Sequence, residues 1–232
     1  MKNKNIIITG ISKGIGESLS KNFSNDNKVY GISRNKYETN NANIMHFQCD
    51  LTDENQIRKT VRDIYKQCGL IDVLINNAAL LKTLPISLMS DKDIKDIVSV
   101  NLLGVIFMTK YVIRYMTRAK AGRIINISSM APKLSVVGDS VYAATKAGLE
   151  SFSKVINKES HGGNITVNNI GISAVHTGML NQIVNDNPDV ILKLIPHGKL
   201  ATIETIVKLI EYFCDDECLD IGGQTVYLGG IS

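Results

Sequence analysis

The sequence predicts an α/β fold: a doubly wound, mostly parallel sheet of about seven strands with helices on both faces. Three observations carry that reading. Short β-rich runs alternate with longer amphipathic segments along the chain, the first run is apolar throughout, and a glycine-rich turn joins it to the first helical segment.

Residues 5–9 (Asn-Ile-Ile-Ile-Thr) form a continuous apolar run, as expected of a strand covered on both faces. Residues 14–25 read helical, with Ile15, Leu19 and Phe23 spaced by four. Strands are expected at 28–32 and 44–49, then a helix at 53–67 with Ile57, Val61, Ile64 and Cys68 on one face. A fourth strand spans 71–75, and apolar residues at helical spacing run from 91 to 117. Strand 123–127, helix 140–158, strand 164–170, helix 202–213 and a closing strand at 224–228 complete the pattern. No linker or repeat interrupts it, so residues 1–232 are expected to form one domain. The exception is a loop at about 171–202, which holds His176, Pro188, Pro196 and His197 and only a weak helical stretch at 179–184. Excursions of that length in a compact domain are often lids or binding loops.

Composition excludes several classes. The chain has 232 residues, 26 basic and 22 acidic side chains and a net charge of +4. At 44% hydrophobic and 21% charged it can bury a core, which rules out wholesale disorder. No stretch approaches the ~18 uninterrupted apolar residues of a membrane span. The run opening the chain is too short for a signal peptide, so the expected compartment is cytoplasmic. Positive charge is spread along the sequence, and neither a nucleic-acid nor a membrane partner is expected. Cys49, Cys68, Cys214 and Cys218 read as free thiols, and no metal site is expected.

The turn Thr9-Gly10-Ile11-Ser12-Lys13-Gly14-Ile15-Gly16 follows the first strand and opens the first helix. Glycines there let a pyrophosphate approach the helix N-terminus, whose free N–H groups and dipole favour an anion. Further along stand Asn76-Asn77-Ala78-Ala79 after the fourth strand, Asn101 in the long helix, and Ile127-Ser128-Ser129 ending the fifth strand. Tyr142-Ala143-Ala144-Thr145-Lys146 lies on the next helix.

Together these motifs resemble the short-chain dehydrogenase/reductase family in its single-domain form of roughly 250 residues. The resemblance runs from Ile6 to Gly229-Gly230 and is closest to 3-oxoacyl-carrier-protein reductase-like members. It implies a Rossmann fold and NAD(P)-dependent hydride transfer between nicotinamide and a small carbonyl or alcohol substrate. By the same resemblance, Gly10, Ser12, Lys13, Gly14, Ile15, Gly16, Asp50, Leu51, Asn77, Ala78, Val175 and Thr177 line the cofactor, with Tyr142 and Lys146. The usual acidic residue at the end of the second strand is Ser33 here, followed by Arg34. A carboxylate would repel a 2′-phosphate, whereas Arg34 and Lys13 can pair with one, so NADP(H) is favoured over NAD(H).

The resemblance implies a catalytic tetrad of Asn101, Ser129, Tyr142 and Lys146. Tyr142 and Lys146 are four residues apart and share a helical face. A free phenol titrates at about 10, and the neighbouring ammonium, with the positive nicotinamide of the oxidised cofactor, is expected to lower that value. Ser129 would bind the substrate oxygen, and Asn101 would hold a water leading to Lys146. Ser128 is passed over by the family spacing. Two departures stand out. Ile172-Ser173 replaces the common Pro-Gly ahead of Thr177, and Ala79 replaces a glycine. Leu80, Met130, Ala131, Val137 and residues 175–183 are candidate pocket residues, with His176 a candidate for polarising substrate. Family resemblance also suggests a homo-oligomer, tetramer or dimer, paired through the helices carrying Asn101 and Tyr142. A cofactor-sensing or interaction protein on the same fold is the alternative, which the intact tetrad disfavours.

Overall fold

The computed structural model describes residues 1–175 and 192–231. Seven parallel strands stand in the order β3-β2-β1-β4-β5-β6-β7. They are β1 (Asn5–Thr9), β2 (Lys28–Ser33), β3 (Ile44–Gln48), β4 (Val73–Asn76), β5 (Gly122–Ser129), β6 (Ile165–Ile172) and β7 (Thr225–Tyr227). The order reverses between β1 and β4, and in open α/β sheets a ligand crevice forms beyond the strand ends at such a switch point.

Helices α1 (Gly14–Phe23) and α7 (Ile203–Phe213) cover one face of the sheet. The opposite face carries α2 (Glu54–Cys68), α4 (Gly104–Ala119) and α6 (Ser140–Ser160). Alternation along β1 explains the two cores. Ile6 and Ile8 pack with Leu19, Phe23, Ile206 and Phe213, while Ile7 packs with Ile57, Val61, Met108 and Val112. Helix α2 begins where Asp53 accepts from the amides of Asn55 and Gln56, and it ends at Gly69, whose φ of 68° favours a residue without Cβ.

The helix expected at 91–117 is not uniform. α3 (Asp91–Val98) runs into one π-helical stretch, Ser99–Leu103, before α4. The combined helix 91–119 has an apolar window long enough to cross a membrane. In this structure Met108, Val112 and Met116 of that helix are buried in the sheet's second core. A short α5 (Ala131–Leu134), with a proline in its first turn, was not foreseen. The weak helix expected at 179–184 lies outside the described residues. The far end of that excursion returns to the fold through a bridge between Val175 and Ala201.

Folding also changes the reading of charge. Arg58 and Arg62 of α2 and Arg114 and Arg118 of α4, dispersed in sequence, line one hollow of about 310 Å³ around Tyr111 and Tyr115.

Under the centre of the sheet lies a polar ladder. Asn76, Asn126 and Asn169 stand opposite one another on β4, β5 and β6. Asn76 donates to the Asn126 amide oxygen at 2.8 Å, Asn126 donates to Ser153 at 2.9 Å and to Asn169 at 3.3 Å, and Ser153 donates to Asn169 at 2.7 Å. All four are buried.

Candidate active site

Gly10, Ser33, Asn77 and Ser129 sit at or just beyond the C-terminal ends of β1, β2, β4 and β5, so the fold gathers them along one sheet edge. At the glycine turn the demand for glycine is geometric. A Cβ on Gly16 would stand 2.2 Å from the Gly10 carbonyl oxygen, and Gly10 and Gly14 hold φ of 78° and 63°. Asn77 locks the turn from β4 by donating to the carbonyls of Thr9 at 2.9 Å and Gly10 at 3.3 Å. The Thr9 hydroxyl accepts from the amides of Asn77 and Ala78. Asn77 therefore shapes the turn, a role its sequence position did not announce. Ile11 fills the space above Gly31, where a Cβ would stand 2.2 Å from its Cδ1.

Helix α1 starts at this turn without a side-chain cap: Lys13, extended at φ −166°, occupies the N-cap and contributes no hydrogen bond. Uncapped first-turn N–H groups beside glycine backbone fit a pyrophosphate. Lys13 and Arg34 are exposed, and among the described residues neither forms an ion pair. Ser33 is turned inward, donating to the Asn35 carbonyl at 2.7 Å and bonding His46 Nε2 at 2.8 Å. Burial holds the His46 imidazole below its usual value. His46 was missed because its link to Ser33 crosses from β3 to β2. Asp50 turns its carboxylate to the amide and hydroxyl of Thr52, both at 2.9 Å, and Leu51 is buried with its carbonyl against Gly104. Ser12 and Ile15 lie half-buried at the turn, Val175 is buried beside Ala201, and Thr177 and His176 fall outside the described residues.

Tyr142, Lys146, Ser129 and Asn101 converge. Lys146 is 3% exposed and donates through Nζ to the Ile127 carbonyl at 2.8 Å, with Nζ 5.7 Å from the Tyr142 ring centroid. Ser129 stands beside the Tyr142 phenol and accepts from the Ala131 amide at 3.2 Å. Asn101 sits in the π turn, where its side chain accepts from the Leu80 amide at 2.7 Å and donates to the Leu80 carbonyl at 2.8 Å. That fixes the loop leaving β4 against the α6 face, reached through a 3.4 Å contact to Thr145.

In the protein alone, without the nicotinamide charge on which the expected lowering also depends, the phenol moves the other way. Burial pushes Tyr142 up to about 12; the neighbouring Ser129 hydroxyl opposes this, and the Asp139 carboxylate adds to it. Burial also brings Lys146 down to about 8, opposed by Glu150. Burial thus shifts both groups toward their neutral forms in the protein alone, because desolvation penalises the charged form of each. Ser128, passed over in the sequence, donates to Glu150 at 2.5 Å, and Tyr227 donates to the other Glu150 oxygen at 2.6 Å. The only sequence signal for Glu150 is its place one turn beyond Lys146.

This glycine turn and Tyr/Lys/Ser cluster on a parallel sheet define a nicotinamide-dependent oxidoreductase. The profile described as short chain dehydrogenase matches residues 4–188, and the chain belongs to that family. It is 32% identical over 234 residues to the 3-oxoacyl-(acyl-carrier-protein) reductase FabG of Buchnera aphidicola, covering 97% of this chain and 95% of that protein. The Escherichia coli reductase of the same name is 30% identical over 231 residues, covering 97% and 95%. Among solved structures, ElxO with NADP bound superposes with a TM-score of 0.90 at 28% identity, covering 98% of this chain and 97% of that one. The ligand-free aldohexose dehydrogenase of Thermoplasma acidophilum gives 0.88 at 25% identity, covering 98% and 92%. The protein is an NAD(P)-dependent oxidoreductase acting on a carbonyl or alcohol group.

Proposed function

We propose that this chain is an NADP(H)-dependent reductase of a small carbonyl substrate, with Tyr142 as the acid/base group. The observation that carries the reading is the convergence of Tyr142, Ser129 and Lys146 at the sheet edge that also holds the glycine turn. The nicotinamide, when bound, supplies the hydride in reduction and accepts it in the reverse direction. Uncapped amides of α1, Lys13 and Arg34 would hold its phosphates, and the absence of an acid at Ser33 supports the 2′-phosphate form.

Ser129 would donate a hydrogen bond to the substrate oxygen, and Tyr142 would give that oxygen its proton. A phenol that is firmly protonated by burial is ready for the reductive direction, since a proton donor must arrive loaded. Lys146, in its charged form, stabilises the phenolate left behind. Asn101 acts through the Leu80 loop and is a positioning group. Met130, next to Ser129, packs with Ala174, Ile195 and Leu200, and these apolar neighbours support an apolar substrate portion.

The test is NADPH oxidation over ketones, acyl thioesters and oxidised sugars, run beside Tyr142→Phe. Turnover by the parent protein and its loss in the variant, with NADPH binding kept, support the reading. Near-parental rates in Tyr142→Phe overturn it.

We also infer a homo-oligomer. Supporting it is an apolar hollow of about 380 Å³ on the outer side of α3 and α6, lined by Ile86, Val98, Leu102, Val141 and Ala144. Exposed Leu88, Leu103 and Val155 extend the same apolar character.

A further inference from the structure

Tyr142, Lys146 and Glu150 follow one another at intervals of four along α6 and therefore form one stripe. Each meets the end of β5: Tyr142 at Ser129, Lys146 at the Ile127 carbonyl, and Glu150 at the Ser128 hydroxyl.

The Glu150 carboxylate is half-buried and makes no ion pair among the described residues. Its two oxygens are occupied instead by two neutral donors, Ser128 on Oε1 at 2.5 Å and Tyr227 on Oε2 at 2.6 Å. The Tyr227 ring is itself held in place. It lies flat against Gly171, where a Cβ would stand 2.2 Å from Cδ1, and Lys133 Nζ stands 5.4 Å from its centroid. A carboxylate clamped from two strands cannot turn away to solvent. It keeps its negative charge at a set place one helical turn from Lys146.

Among the described residues, Lys146 meets no other charge that would serve. β5 brings it a carbonyl, and the one ionisable residue of that strand, Arg123, pairs with Asp216. β6 carries no ionisable side chain, and the π turn brings the neutral Asn101. Of the acids of α3, Asp93 pairs with Lys82, Asp96 with Lys92, and Asp91 is exposed. Lys133 of α5 faces Tyr227. Asp139, ahead of α6, bonds the Thr83 hydroxyl and acts on Tyr142.

We propose that Glu150 is a positioning residue for the reaction: clamped between Ser128 and Tyr227, its carboxylate keeps Lys146 in the charged form that Tyr142 needs beside it. The inference rests on the reductase reading above. The direction of Glu150's influence on Lys146, opposite to that of burial, agrees with it. Ser128 and Tyr227 thereby tie the closing strand to the charge of the active-site lysine.

The experiment reads the Lys146 Nζ resonance in ¹⁵N-lysine-labelled protein against pH, assigned with Lys146→Met and recorded without cofactor or substrate. Glu150→Gln keeps shape and hydrogen-bonding capacity while removing the charge. The Lys146 midpoint should fall by about one pH unit, the size of effect one nearby charge commonly has. In kinetics with NADPH, the alkaline limb of kcat should move down by the same amount, with the KM for NADPH unchanged. Ser128→Ala with Tyr227→Phe keeps the charge but frees it, and should give a smaller shift in the same direction. If Glu150→Gln does not fold, Glu150→Asp, which withdraws the charge, takes its place with the same sign expected. An unmoved midpoint overturns the proposal, as does a midpoint that moves while the kcat limb stays. A parent protein that reduces no carbonyl tells against the reductase reading instead, and the resonance separates the two failures.

Discussion

The ammonium of Lys146 donates to the main-chain carbonyl of Ile127 across 2.8 Å, so the lysine is anchored to the strand that carries Ser129 two residues later. Helix and strand thus share one rigid reference. A small error in the seating of α6 would misplace phenol, ammonium and serine together, and positional errors near 1 Å can cost ~10²-fold in rate.

On the proposed mechanism, Ser129→Ala leaves the phenol in place but removes the donor to the substrate oxygen. kcat should fall by about 10²–10³-fold while the Kd for NADPH, read by fluorescence, stays within about twofold. A KM-only effect would move Ser129 out of the reacting centre.

Arg34→Ala should raise the KM for NADPH by about tenfold, in keeping with the loss of one charge-assisted hydrogen bond, and leave that for NADH nearly unchanged. Lys13→Ala should act in the same direction, and the double variant should come close to equal use of the two cofactors. Parallel losses with NADPH and NADH would place both cations away from the 2′-phosphate.

Gly16→Ala puts a methyl group 2.2 Å from the Gly10 carbonyl and 2.5 Å from Asn77 Nδ2. Backbone must shift, at a cost of about 1–3 kcal/mol for an overpacked site. Thermal melting should show a drop of several degrees and NADPH binding should weaken. Gly69→Ala meets no neighbour, so its penalty comes from the φ of 68° alone and leaves NADPH binding intact.

Stability should follow pH through the buried pair. Lys146 holds its proton less tightly in the fold than its ordinary value of 10.5, losing it at about 8. Between those values the unfolded chain binds more protons, so this lysine makes stability rise with pH across that window. Tyr142 works the other way, keeping its proton to about 12 while an unfolded phenol loses it near 10.0. Its contribution is complete below pH 10 and is lost as pH climbs beyond it, because the unfolded chain then binds fewer protons. Urea titrations of Lys146→Met should lack the rise between pH 8 and 10, while those of Tyr142→Phe should lack the loss above it. A parent curve flat from 8 to 10 would contradict the burial argument for the lysine.

The apolar hollow beside α3 and α6 gives a further expectation. Light scattering should find more than one copy per particle, and Leu102→Glu with Val141→Glu should reduce the mass toward that of one chain. A monomeric parent protein would mean that the hollow has another use.

Much of this was legible from residues. The apolar run of β1, the four-residue spacing in α2 and the glycine turn are local signals, and the structure places each where the sequence indicates. Lys13 and Arg34 could be read because exposed cations need no partner to be noticed. What escaped depends on contacts between distant segments. Glu150 meets Tyr227 across 77 positions, and nothing near Glu150 announces that. The π turn at Asn101 was invisible because one extra residue in a helical turn leaves the apolar spacing almost intact. The burial of the phenol escaped because spacing shows that an ammonium is near but says nothing of how dry the site is. The arginine hollow needed α2 and α4 to be laid side by side.

The asparagine ladder beneath the sheet has a consequence for how the chain finds its alignment. Were β5 to slide by one residue against its neighbours, the amides of Asn76 and Asn169 would face Ile125 or Ile127, and several hydrogen-bonding groups would be entombed without partners. Slippage is thereby penalised at the one place where apolar strands, alike on both faces, offer little to tell one alignment from the next. The ladder works as a key cut into an otherwise smooth lock, and the strand it aligns ends at Ser129.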